Sequence, residues 1–129
     1  MNVLLDTCVY LWWLADHPRL KKQTKTRIMQ AETAYVSAIS LFEAAIKIQL
    51  GKLTVVMEDL ITGIEKSGFE LLTLLPQHAK TLVDLPKHHG DPFDRMLIAQ
   101  AISEPLIFIT ADAGLTVYSS RVCLQSCGE

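Results

Sequence analysis

Val3-Leu4-Leu5-Asp6 joins three consecutive apolar residues to a carboxylate near the start of the chain. A short apolar run of this kind reads as a strand, Asn2 to Leu5, with Asp6 directly after it. Working outward, Ala34 to Val36, Glu70 to Leu74, Leu106 to Ile109 and Arg121 to Leu124 are further strand candidates. Between them lie longer helical patterns: Tyr10 to Leu14, Leu20 to Gln30, Leu41 to Leu50, Glu58 to Ser67, Gln77 to Asp84 and Pro92 to Ser103. Alternating strands and helices imply an α/β fold with a parallel sheet covered by helices.

The 129 residues are half apolar, with 12 Lys and Arg against 14 Asp and Glu, a formal charge of −2. A chain of this size forms one domain, 1–129, and needs no disulfide or structural metal to supply its core. No repeat, low-complexity segment or linker divides it, and the last few residues are expected to be disordered. Cys8, Cys123 and Cys127 are odd in number and lack C-x-x-C spacing, which predicts free thiols in a reducing compartment. Met1 to Trp13 is apolar but has no preceding Lys or Arg and is broken by Asp6, so export is not expected. The longest stretch without Asp, Glu, Lys or Arg, Thr33 to Phe42, is far short of the ~20 residues a membrane helix requires. The expectation is a cytoplasmic protein with no membrane attachment. Net acidity requires any nucleic-acid binding to come from a local basic patch or a bound metal.

Two helix starts are marked. Ser40-Leu41-Phe42-Glu43 has the capping-box pattern, and Asp91-Pro92-Phe93-Asp94 combines a cap, a proline whose missing N–H is harmless, and an acid in the positive first turn. Gly51 and Gly68 are placed to end the helices before them.

Four carboxylates fall where a site would be. Asp6 follows the first strand and Asp112 follows Leu106-Ile107-Phe108-Ile109-Thr110, and ligands of open parallel sheets collect outside the carboxyl ends of strands. Glu43 and Asp94, read in the first turns of helices, fall on the same rim. Like charges so gathered repel, and a divalent cation removes that cost. Mg²⁺ or Mn²⁺ takes oxygen ligands, keeps several waters, and can activate one of them against a phosphodiester.

Each acid also has a structural use. The Leu41 to Leu50 helix is apolar nearly all round, which predicts a largely buried helix, and Glu43 can be satisfied there by a capping box and an i,i+4 pair with Lys47. Asp91 reads as a cap, Asp94 as a dipole-favoured acid, Asp112 as the start of a turn, and Asp6 as a possible cap for the segment from Thr7.

Taken together, Leu4-Leu5-Asp6-Thr7, Val36-Ser37-Ala38-Ile39-Ser40-Leu41-Phe42-Glu43, the segment from Asp91-Pro92-Phe93-Asp94 to Ala101, and Ile109-Thr110-Ala111-Asp112 resemble the PIN-domain family, and within it the VapC-type toxins. The resemblance runs over essentially the whole chain. It includes Gly51-Lys52-Leu53 after the second motif, and Leu85-Pro86 with His88 and His89 before the third. It implies an α/β/α sandwich with a mainly parallel five-stranded sheet. It also implies a Mg²⁺- or Mn²⁺-dependent endoribonuclease acting as the toxin of a toxin–antitoxin pair. Position by position, the catalytic acids are Asp6, Glu43, Asp94 and Asp112, with Asp6, Asp94 and Asp112 on the metal. Thr110 holds a water or orients a carboxylate, and Asp91 supports the site. The implied partners are RNA, a cognate antitoxin and a second copy in a homodimer, and the implied products carry a 5′-phosphate and a 3′-hydroxyl.

Phe42 stands where many relatives of this subgroup carry Trp, which keeps an aromatic packing residue. Lys47 and Lys52 read either as solvated helix-end lysines or as contacts to RNA phosphates. Arg19, Lys21, Lys22, Lys25 and Arg27 form the densest basic run; it reads as a solvated face that could also steer RNA, without interleaved aromatic residues to stack bases. Leu11-Trp12-Trp13-Leu14 reads as core, or as a groove for an amphipathic partner helix. His78, His88 and His89 lack the spacing of a zinc site, and no glycine-rich phosphate loop occurs. Two other readings remain open. One is another metal-dependent phosphodiesterase or phosphotransfer enzyme, although a haloacid-dehalogenase type would want an aspartate where Cys8 stands. The other is a non-catalytic regulatory or binding partner of the same fold.

Overall fold

The computed structural model describes residues 1–88, 90–118 and 122–124. Among these residues, five strands alternate with helices: β1 (Asn2–Leu5), β2 (Thr33–Ser37), β3 (Glu70–Leu72), β4 (Ile107–Thr110) and β5 (Val122–Leu124). The helices are α1 (Thr7–Ala15), α2 (Lys22–Gln30), α3 (Ala38–Gln49), α4 (Met57–Lys66), α5 (Pro76–Asp84) and α6 (Pro92–Ser103), followed by a 3₁₀ helix, Ala113–Tyr118. His89, Arg121, Cys127 and the terminal residues expected to be disordered lie outside the described residues.

The strand order is β3-β2-β1-β4-β5, and each neighbouring pair is parallel. The α/β class with a parallel sheet therefore holds. β1 lies at the centre, with Leu4 in register with Tyr35 on one side and Phe108 on the other. Its position explains its composition: Val3, Leu4 and Leu5 are each 0% exposed, because neighbours close both edges and helices cover both faces.

Alternation along the strands sorts the core into two layers. Val3, Leu5, Val36 and Ile109 pack with Val9 and Tyr10 of α1, Ile28 of α2 and Ile64 of α4. Leu4 and Phe108 pack on the opposite face with Leu97, Ile98 and Ala101 of α6, Leu85 after α5, and Leu115 of the 3₁₀ helix. Each such side chain contributes about 1.5 to 3 kcal/mol when fully buried. On the first face, the Tyr10 hydroxyl donates to the Leu60 carbonyl at 2.6 Å. Gly63 makes that approach of α4 to α1 possible, since a Cβ there would lie 2.9 Å from the Tyr10 hydroxyl.

Local signals decide the helix ends. Asp91 accepts from the Phe93 and Asp94 N–H groups at 2.8 and 3.2 Å, with Pro92 next in line, as its sequence predicts. Gly51 and Gly68 adopt φ of 75° and 79° after α3 and α4. In both turns the flanking amides close back on the last helical carbonyls, Lys52 onto Lys47 and Phe69 onto Ile64.

The structure corrects the reading of α3. The helix starts at Ala38, and its cap is Ser37, whose hydroxyl accepts from the Ile39 N–H at 3.0 Å. Ser40 lies inside the helix, so the Ser40–Glu43 capping box does not form, and Glu43 sits in the second turn. Nor is α3 buried all round. Phe42, Ile46 and Leu50 are 65%, 43% and 63% exposed, an i, i+4, i+8 stripe facing away from the core. Phe42 is thus a surface residue instead of a packing one. α1 also begins earlier than expected, at Thr7, directly after Asp6.

Trp12 and Trp13 both pack against the core layer that holds Val3, Leu5 and Val9. Trp13 packs its ring against Phe69 at 5.1 Å and donates its indole N–H to Ser67, so it belongs to the core. His78, 3% exposed, accepts the Leu75 N–H at Nδ1 and meets Glu104 at Nε2. Gln100 links this pair to the start of α3: its amide nitrogen lies 3.3 Å from His78 Nδ1 and donates to the Thr73 carbonyl, and its oxygen accepts from the Ser37 hydroxyl. These bonds fix α6 against the end of β2, which holds the helices that carry Glu43 and Asp94.

Candidate active site

The strand order reverses direction at the junction of β1 and β4, and the crevice outside the carboxyl ends of two such strands is where ligands bind in sheets of this kind. Asp6 stands at the end of β1, its N–H bonded to the Ile109 carbonyl of β4 at 2.9 Å. Asp112 follows the end of β4. A cleft of about 640 Å³ opens there, lined by Asp6, Glu43, Asp91, Asp94 and Asp112, with Lys47, Lys52 and Arg19 on its walls. All four acids expected at the site, together with Asp91 and both lysines, therefore share one cleft.

Asp6 occupies the cap position of α1 without making a side-chain cap bond. Its carboxylate instead accepts from the Thr110 hydroxyl at 2.5 Å, while that hydroxyl's oxygen accepts the Asp112 N–H at 3.0 Å. Thr110, 0% exposed, thus ties the two strand-end acids together. Asp6 itself is 7% exposed. Burial pushes its carboxyl up to about 6, against the Thr110 bond and with repulsion from Glu43 and Asp112 adding to the rise.

Glu43 is equally buried and fully engaged. One oxygen accepts from the Thr7 hydroxyl at 2.7 Å, and the other meets the Lys47 ammonium at 2.9 Å, the i,i+4 pair foreseen in the sequence. Thr7 also lies 2.8 Å from the Ser40 hydroxyl, which gives that serine a use other than capping. The Glu43 bond raises the Lys47 pKa, and the negative charges of Asp91 and Asp94 reach it as well. Asp94 comes from the first turn of α6, and Asp112 caps its own turn by accepting the Gly114 N–H at 2.9 Å.

Among the described residues, no three Asp, Glu, His or Cys side chains close into a cage around an ion. The donors present are hard carboxylate oxygens on an open cleft. That chemistry suits a cation which keeps much of its water and binds directly through one or two carboxylates. Lys47 pairs with Glu43, whereas Asp6 is buried near the like charges of Glu43 and Asp112.

Sequence reading missed three contributions: the Thr7 hydroxyl, the Ser40 hydroxyl, and the placement of Arg19 over Trp12. The first two act across the gap between α1 and α3, which no local pattern encodes. Trp12, read as core, packs against it and also lines the cleft, with the Arg19 guanidinium 5.3 Å from its ring centre. Cys8, a free thiol, lines it too, and burial followed by the Asp6 charge raises its pKa against the pull of Arg19 and Lys47.

Residues 3–119 match the model of the PIN domain. The chain belongs to the PIN-domain family. This PIN domain is 32% identical over 117 residues to Ribonuclease VapC22 of Mycobacterium tuberculosis (strain ATCC 25618 / H37Rv), a match spanning 88% of this chain and 89% of that protein. Its fold is similar to that of VapBC2 from Rickettsia felis, solved bound to a DNA fragment from their promoter. That match has a TM-score of 0.72 at 16% identity, over 96% of this chain and 97% of the other. DNA-bound VapBC from Salmonella typhimurium aligns with a TM-score of 0.66 at 19% identity, over 89% and 90% of the two chains.

Proposed function

We propose that this PIN domain is the ribonuclease toxin of a toxin–antitoxin pair, hydrolysing RNA phosphodiester bonds. The observation that carries the reading is the arrangement of Asp6, Glu43, Asp94 and Asp112 in one cleft at the β1/β4 junction. The relationship to a protein named a ribonuclease supports it.

Asp6, Asp94 and Asp112 are the residues that would hold Mg²⁺ or Mn²⁺ in this reading, directly or through its waters. When bound, the cation lowers the pKa of a water and offsets charge developing on the phosphodiester. The chain's own part is positioning. Thr110 fixes the Asp6 carboxylate, and Asp91 sets the first turn of α6, from which Asp94 projects. Glu43, locked between Thr7 and Lys47, presents a fixed carboxylate that orients the attacking water. Lys47 and Lys52 on the cleft wall draw the substrate phosphates toward an otherwise acidic protein. The products carry a 5′-phosphate and a 3′-hydroxyl.

A cognate antitoxin and a second copy of the chain are the proposed protein partners. The exposed stripe of Phe42, Ile46 and Leu50 supports protein contact, because contiguous apolar surface of this sort is costly to leave in water. The setting is cytoplasmic; among the described residues no helix is long and apolar enough to cross a membrane. Controlled expression in a bacterial host tests the reading. Wild-type protein should arrest growth with accumulation of discrete RNA fragments, and Asp94→Asn should do neither. Equal arrest by both proteins would contradict it.

A further inference from the structure

We propose that Arg95 and Tyr118 are positioning residues that clamp the 3₁₀ helix and the stretch 85–88 onto the start of α6, and so set the spacing of Asp94 and Asp112. The inference rests on the ribonuclease reading and adds to it the device that holds two of its acids to one separation.

The two acids come from different elements. Asp94 projects from the first turn of α6, and Asp112 lies directly before the 3₁₀ helix, where its carbonyl accepts the Leu115 N–H at 3.2 Å. Arg95 follows Asp94, Tyr118 closes the 3₁₀ helix, and the Arg95 guanidinium donates to the Tyr118 hydroxyl oxygen at 3.2 Å. The same guanidinium donates to the Pro86 carbonyl at 3.0 Å and to the Leu85 carbonyl at 3.4 Å. The Tyr118 oxygen also accepts the His88 N–H at 3.1 Å, and the His88 ring meets the Tyr118 ring edge-on at 5.2 Å. One guanidinium and one phenol therefore gather the stretch after α5 and both elements that carry acids.

Charge makes the placement of Arg95 informative. It stands near the positive end of α6, where the helix dipole disfavours a cation. An arginine there needs compensating acceptors, and its rigid fork of donors reaches three oxygens together. Hydrogen bonds from an ionised donor are roughly twice as strong as neutral ones, so the tie is firm for a contact at the surface. The 3₁₀ helix is thereby held along its length. Thr110 fixes its approach through the Asp112 N–H, Leu115 is buried at 0% exposure in the core, and Tyr118 secures the far end.

Neither Arg95 nor Tyr118 lines the cleft, and no step of the proposed hydrolysis uses them. Their effect reaches the site through geometry. Mg²⁺ demands a near-ideal arrangement of oxygen ligands, so the separation of Asp94 and Asp112 bears directly on its affinity. Residues that orient ligands without touching the ion typically change affinity or activity by roughly 10- to 100-fold when removed.

The test measures Mn²⁺ binding to the full chain by titration calorimetry, with RNA cleavage followed in parallel at limiting and saturating Mn²⁺. Tyr118→Phe keeps the ring beside His88 and removes the accepting oxygen, whereas Arg95→Lys keeps the charge and loses the fork. Each is expected to weaken Mn²⁺ binding roughly tenfold and to slow cleavage at limiting metal by the same factor, with most of the rate restored at saturation. KM for RNA should stay close to that of the wild type. The double variant should bind no more weakly than the worse single one, because both substitutions open the same clamp. Tyr10→Phe, which strips the hydroxyl from Leu60 on the opposite face of the sheet, controls for lost stability alone and should bind Mn²⁺ as the wild type does. Arg95→Lys decides the matter if Tyr118→Phe fails to fold. Unchanged Mn²⁺ affinity in the folded variants, equal weakening in Tyr10→Phe, or a wild type that binds no Mn²⁺ would overturn the clamp. A wild type that binds Mn²⁺, with the expected losses in the variants, yet cuts no RNA would overturn the nuclease reading alone.

Discussion

The Thr7 hydroxyl donates to the Glu43 carboxylate at 2.7 Å, joining the first turn of α1 to the second turn of α3. The bond matters because Glu43 is buried, and a buried carboxylate needs every partner it has. With Lys47 on its other oxygen, the acid has one orientation, and that orientation belongs to the cleft. Its position is set by two residues that come from different helices.

Thr7→Val should therefore loosen Glu43 without removing it. We expect a stability loss of about 1 to 3 kcal/mol, the cost of stripping one hydrogen bond from a buried charged acceptor. Cleavage should fall at least tenfold, with Thr7→Ser restoring most of both. Urea denaturation and initial cleavage rates on one RNA check the pair of effects.

Asp6 makes a prediction about pH. Burial holds its folded carboxyl at about 6, against 3.8 for an unperturbed aspartate, so between those values the native state binds more protons than the unfolded one. Stability from this group accordingly falls as pH rises from about 4 to 6 and stays lowered above that. Asp6→Asn removes the buried charge and should raise metal-free stability at pH 7.5 by up to about 3 kcal/mol, from a shift of about two units. At pH 4 most of that gain should vanish. Urea midpoints of the two proteins in chelator at both pH values provide the check, and activity should be lost in the variant at each.

Asp91 caps the helix that carries Asp94. Asp91→Ala leaves the Phe93 and Asp94 N–H groups without their acceptor, which should cost about 1 kcal/mol. Asp91→Asn keeps an accepting oxygen and should stay within a few tenths of wild type. Thermal melts of both variants separate this role from direct participation: a folded Asp91→Asn that cuts no RNA would make Asp91 more than a cap.

Much of this was legible in the chain because it is local. The acid after an apolar strand, the Asp91-Pro92 helix start and the two glycine stops are each encoded within a few residues, and each appears where the pattern places it. α3 was misread for a physical reason. Ser37 and Ser40 both precede apolar residues, and the choice between them is made by where β2 ends, at Ser37. Apolarity alone also overstated the burial of α3, since Phe42, Ile46 and Leu50 face outward, a stripe that composition cannot distinguish from core. The contacts among Thr7, Ser40 and Glu43, and the fold-back of Arg19 onto Trp12, are tertiary. They depend on helix placement, which the sequence states only through the fold.

The most direct measurement is cleavage of a mixed pool of structured and unstructured RNA by purified protein, with Mg²⁺ or Mn²⁺, with EDTA, and with the Asp6→Asn and Asp94→Asn variants. The account predicts cutting by the wild type in either metal, none in EDTA, recovery when metal is returned, and none by either folded variant. Cleavage that persists in EDTA, or in a folded Asp94→Asn protein free of wild-type contamination, would contradict it.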